Sequence, residues 1–166
     1  MRTKLRKPGS PPQQQGAAAV EFGIIVALYI FILLCIVELG LLFFVNLTLQ
    51  HAVREGARYA ITGQRNADPN TANQQRYLAI VQQIRNASMG YFDPVVKNIV
   101  ITVNNGTPTA YDKSSAYVPG MFGAAGDIVV FRLDCNWSLM TPFWKGQFTG
   151  GVYAFSVAAT MRNEAF

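Results

Sequence analysis

An α+β fold follows from three features of the 166-residue sequence. One long apolar run lies near the N-terminus, an amphipathic segment comes after it, and apolar residues alternate toward the C-terminus. Together they predict a long N-terminal transmembrane and stalk helix, then a second helix packed on a small antiparallel sheet of about three strands. The expected divisions are a leader at 1–16, the transmembrane and stalk helix at 17–63, and a small α+β domain beyond the membrane at 64–166.

The span comes first. No residue from Phe22 to Val37 is charged, and apolar character resumes after Glu38 as far as Leu49. A run of at least about 18 apolar residues reads as a membrane-spanning helix. Glu38 lies roughly 32 Å of helix beyond Ala17, close to the roughly 30 Å hydrocarbon thickness of a bilayer. It is therefore expected at the outer interface, within reach of water. Ala17 to Leu49 would make about 50 Å of helix, too long for lipid alone. Some of that apolar surface must meet protein, either the chain's own domain or neighbouring subunits.

The helix then changes character. Asn46, Gln50, Arg54 and Arg58 recur every four residues as a polar stripe, while Leu42, Val45, Leu49, Val53, Gly56 and Ala60 form an apolar one. Together with Glu38, the residues Leu42, Val45, Leu49, Gly56 and Ala60 are the candidates for subunit or domain packing. Gly63 is the expected helix stop. Asp68-Pro69 reads as the cap and first-turn proline of a second helix, with Tyr77, Ile80 or Val81, Ile84 and Ala87 on its apolar face and Gly90 ending it.

Strand patterns follow. "IVITV" at 99–103 is rich in β-branched residues. Val129, Phe131, Leu133, Cys135 and Trp137 share one face of an alternating run, and Tyr153, Phe155, Val157, Ala159 and Met161 share one face of another. Residues 104–126, with four glycines and two prolines, are expected to form a long loop.

Charge and chemistry narrow the function. The net charge is +5, but Arg2, Lys4, Arg6 and Lys7 supply four positive charges with no acid among them. A basic chain raises the question of a nucleic-acid partner; a short basic tail beside an apolar span answers it in favour of a cytoplasmic anchor. The one histidine, His51, has no carboxylate cluster near it, and Cys35 and Cys135 make neither a C-x-x-C motif nor a disulfide. No metal spacing, phosphate loop or nucleophile elbow is present in the sequence. No enzyme activity, metal or cofactor is expected.

The N-terminus differs from a secretory signal. Such a signal ends in a small-residue cleavage site after a short apolar stretch. Here the small residues Gly16 to Ala19 precede an apolar stretch of about twice that length. "G-AAAV-EF" at 16–22 resembles the processing site of type IV prepilins. "VELG" at 37–40, "REGARYAITG" at 54–63 and "SVAATMRNE" at 156–164 are similar to the TadE-like family of minor pilins, or pseudopilins, of the tight-adherence (Flp) pilus. "REGARYA" favours TadE over TadF.

The resemblance implies cleavage after Gly16 by a prepilin peptidase, with Ala17 as the new first residue and Glu21 and Phe22 at mature positions five and six. It implies a single-pass protein of the bacterial inner membrane, with a cytoplasmic N-terminus and a periplasmic domain. Its implied partners are the lipid bilayer, other Tad pilins and minor pilins, and the inner-membrane assembly platform. The implied role is in a pilus used for attachment and biofilm formation.

Physical chemistry gives Glu21 a part in that reading. The helix dipole favours a carboxylate in the first turns by roughly 0.3–1 kcal/mol, whereas burial at the centre of a span opposes it by about 2.5–3.5 kcal/mol. A cationic partner is needed, and the α-amine that cleavage creates at Ala17 of a neighbouring copy is one. The competing reading of the chain is a monomeric membrane-anchored binding domain outside any filament.

Overall fold

The computed structural model describes residues 15–72 and 74–164. The basic residues Arg2, Lys4, Arg6 and Lys7 and nearly all of the expected leader lie outside the described residues. Contacts divide the chain at Val37 and Glu38 into two compact units. Helix α1, Gln15–Ile61, contributes to both.

In the first unit α1 carries Val20, Phe22, Ile24, Ile25 and Leu28, all exposed. Apolar side chains on every face of a helix leave no polar face for water, and a lipid environment removes that conflict. Among the described residues one helix is long and apolar enough to cross a membrane. It is consistent with a single-pass anchor.

The second unit begins with the remainder of α1. Helix α2 spans Arg76–Ala87, a short helix α3 spans Phe92–Val95, and strand β1 covers Val96–Val103. Strand β2 is Thr109–Tyr111, β3 is Ile128–Ser138, helix α4 is Pro142–Gln147, and β4 is Val152–Arg162. The four strands form one antiparallel sheet in the order β2-β1-β3-β4. The fold is α+β as expected, with one strand more than the three read from the sequence. That extra strand, β2, lies inside the stretch expected to be loop. It is only three residues long and pairs Thr109, Ala110 and Tyr111 with Ile101, Val100 and Ile99.

Alternation places the core. Ile99 faces Leu133 and Ile101 faces Phe131 across β1 and β3, and Leu133 faces Val157 across β3 and β4. These side chains are buried on the same face as Cys135, the arrangement that the period of two demands. The register shifts between Val96 and Asn98. A bulge there changes the parity of β1, so that Val96 and Ile99 are both buried although three residues apart.

Two helices cover this face. Val45, Leu49, Ala52, Val53 and Ala60 of α1 join Tyr77, Ile80, Val81 and Ile84 of α2 in the same core cluster. Full burial stabilises by about 1.5–3 kcal/mol for each Val, Leu or Ile side chain. The two helices approach closely at Gly56, where a Cβ would overlap the side chain of Ile84.

The helix ends mix agreement and correction. Gly63 (φ 66) and Gly90 (φ 87) adopt the left-handed backbone just past α1 and α2, as expected for stop residues. Asp68-Pro69, in contrast, does not open α2, whose N-cap is Gln75. The Asp68 carboxylate instead accepts the backbone N–H groups of Asn70 at 2.9 Å and Gln75 at 2.5 Å, fastening the connection between the helices.

Candidate functional site

The expected processing and assembly residues lie in the first turns of α1. Gly16, Ala17, Glu21 and Phe22 are all helical and exposed. Among the described residues a Cβ built on Gly16 meets nothing within 4 Å, so packing among them does not require glycine at that position. Phe22 is 69% exposed. The structure thus brings Gly16, Ala17, Glu21 and Phe22 together on one helical segment whose side chains are available to a partner.

Residues further along α1 are used differently. Val45, Leu49 and Ala60 belong to the core of the chain's own domain, and Gly56 is buried against Ile84. Leu42 lines an apolar cleft of about 190 Å³ with Glu38, Leu39, Phe43, Trp144 and Phe148. Of the two packing roles expected for this stripe, the one seen within the chain is domain packing. Leu39, Phe43, Phe44 and Leu47 remain exposed on the same stretch of helix.

Glu38 departs from expectation. It is 3% exposed rather than hydrated. Its carboxylate accepts the backbone N–H of Met140, the backbone N–H of Thr141 at 3.1 Å, and the Thr141 hydroxyl. Three donors from the turn between β3 and α4 take the place of water, which is how a buried carboxylate avoids an uncompensated desolvation penalty. The turn is in position because β3 ends at Ser138 and Pro142 then opens α4.

A second buried charge was not foreseen. Arg76, at the start of α2, donates from Nη2 to the Ala60 carbonyl at 2.6 Å and sits 4.8 Å from the centre of the Phe122 ring. It adds a second donor to a carbonyl in the last turn of α1 that also accepts the Gly63 N–H at 3.3 Å. A single arginine at a helix start carries no sequence signal for this, since its partner lies 16 residues upstream.

Among the described residues no group of three or more His, Cys, Asp or Glu side chains could hold a metal. The hydrogen bonds of Glu38 and Arg76 join α1 to its own domain, whereas Gly16, Ala17, Glu21 and Phe22 at the start of α1 are exposed.

Comparison with known families bears on that segment. Residues 16–58 match the TadE-like protein family. The match begins at Gly16 and runs through Glu21, the apolar span and Glu38 into "REGAR". TadE-like proteins are structural proteins associated with the Tad pilus, not enzymes. Searches of curated proteins and of solved structures found no match. The TadE-like segment thus contains both the exposed start of α1 and the stripe that joins the domain core.

Proposed function

We propose that this chain is a minor pilin of the tight-adherence pilus, matured by a prepilin peptidase that cuts after Gly16. The mature protein is held in the bacterial inner membrane by α1, with its N-terminus in the cytoplasm and the α+β domain in the periplasm. There it associates with other Tad pilins at the assembly platform and takes part in building a filament for attachment and biofilm formation. The observation that carries this reading is that the TadE-like match begins at Gly16, the residue that would precede the cut.

Glu21 supplies the assembly chemistry. It is exposed on the first turns of the mature helix, where the α-amine of Ala17 on a neighbouring subunit offers an opposite charge in a low-dielectric setting. Crosslinking of the mature protein to co-expressed Tad pilins in membranes tests this. Glu21→Ala should leave the domain folded and the N-terminus processed, yet abolish most crosslinks. Undiminished crosslinking in that variant would remove Glu21 from assembly, and absence of crosslinks in the unsubstituted chain would favour a monomeric anchored domain.

A further inference from the structure

The turn that grips Glu38 continues into a strongly apolar, aromatic segment. Residues 140–148 read "MTPFWKGQF", and no acidic residue occurs between Asp134 and Glu164. Met140 is 67% exposed and Phe143 49% exposed. On α1, Leu39 and Phe43 are exposed as well, and they share one apolar cleft with Trp144 and Phe148. The helix surface at Leu39 and Phe43 is therefore continuous with Trp144 and Phe148 of the 140–148 segment, and Phe143 packs edge-on against Trp144.

The position of that patch along the helix is what selects its occupant. Glu38 immediately follows the uncharged run that ends at Val37, and Met140 and Thr141 lie one hydrogen bond from it. Ala17 to Leu47, the last strongly exposed apolar residue of α1, is about 45 Å of helix. A bilayer is about 40–45 Å thick with its headgroup layers included and about 30 Å without them. With Ala17 at the inner edge of the hydrocarbon, Leu39, about 33 Å along the helix, falls in the outer interfacial layer and Phe43, at about 39 Å, lies at its outer margin; this is the zone in which tryptophan and other amphipathic rings concentrate. Lys145 adds a positive charge suited to anionic headgroups.

We propose that residues 140–148 form an interfacial foot that lies in the outer headgroup layer of the membrane crossed by α1, clamped to the helix by Glu38. This rests on the membrane-anchored reading of α1. The foot would turn the exposed Met140 and Phe143 to lipid, with Trp144 half-buried beside the helix and the Glu38 carboxylate supplied with donors where water is scarce.

Depth-dependent fluorescence quenching tests the foot. The chain has two tryptophans, Trp137 and Trp144, so Trp137→Phe isolates Trp144. The full chain is reconstituted in vesicles of phosphatidylethanolamine and phosphatidylglycerol whose acyl chains are brominated near the headgroup. Trp144 should lose most of its emission relative to unbrominated vesicles. The unsubstituted chain gives the same answer without relying on the variant's fold, because only the Trp144 share of its emission should be quenched.

Emission that is unchanged by brominated lipid in a vesicle-bound chain overturns the foot and leaves the anchor standing. Quenching that disappears as the protein-to-lipid ratio rises assigns the patch to a second copy instead, and also overturns it. Failure of the chain to associate with vesicles at all overturns foot and anchor together.

Discussion

Thr141 donates both its backbone N–H, at 3.1 Å, and its hydroxyl to the carboxylate of Glu38, 103 residues earlier in the chain. With the Met140 N–H, this is the only place among the described residues where a glutamate of α1 is buried and hydrogen-bonded to the domain. Glu38→Ala should leave the Met140 and Thr141 N–H groups unsatisfied, and a buried donor left in that state costs about 1–3 kcal/mol. Thr141→Val removes one bond and should destabilise by about 1 kcal/mol. Thermal unfolding of the detergent-solubilised chain checks both; equal midpoints for Glu38→Ala and the unsubstituted protein would dismiss the clamp.

Gly56 and Ile84 make a separate prediction about packing. Alanine would improve helix propensity by about 1 kcal/mol, but its Cβ would overlap Ile84, and overpacking costs typically about 1–3 kcal/mol. Gly56→Ala should be net destabilising. Combined with Ile84→Ala, which vacates the space, the effects should be clearly less than additive. A double-mutant cycle by denaturant unfolding measures this coupling, and simple additivity would contradict the close approach.

The fold and its exceptions can be traced to particular residues. The α1 stripe was legible because Val45, Leu49, Val53 and Ala60 repeat at the helical period and all enter the core. The last two strands were legible because Phe131 and Leu133, and likewise Phe155 and Val157, alternate with outward residues. Strand β2 was not, since three residues with only Tyr111 half-buried leave no periodic signal. The start of α2 was misread because Asp68 is a strong local cap signal that the structure spends on a loop. Glu38 was misplaced because its donors come from the far end of the chain, which no local pattern can report. The exposed Gly16, Ala17, Glu21 and Phe22 were legible as a motif, while their use depends on partners outside this chain.

Acid should weaken the contact between the residue that follows β1 and the one that precedes β3. Asn104 donates its side-chain amide to Asp127 at 2.7 Å, and the Ala124 N–H donates to the other oxygen at 2.7 Å. Chiefly the Asn104 bond, with the Ala124 N–H second, holds the Asp127 carboxyl below the usual carboxylate range. A depressed folded value means that the stabilisation is complete above the unfolded value of about 4 and is lost as pH falls through the folded one. Asp127→Asn should therefore show a shallower loss of stability below about pH 4. Identical acid profiles for the two proteins would exclude Asp127 as a contributor.

The orientation of the span is open to thiol labelling. Thr107 is exposed in the connection after β1, and Thr107→Cys should react with a membrane-impermeant maleimide added from the periplasmic side. Background from Cys135 should be slight, because burial pushes its thiol up to about 12 and the thiolate is the reactive form. Cys35 lies in the apolar run. Labelling only from the cytoplasmic side would invert the orientation drawn from the basic N-terminal residues.

The N-terminus of the protein recovered from membranes decides whether the chain is a processed pilin. Intact-mass and N-terminal peptide measurements on the chain expressed with its prepilin peptidase should find Ala17 as the first residue. Gly16→Leu should accumulate uncut, because a bulky side chain beside the cut does not fit where the peptidase accepts a residue without one, and among the described residues Gly16 has no packing role. A wild-type chain that retains residues 1–16, or a Gly16→Leu chain that matures normally, would contradict the pilin account.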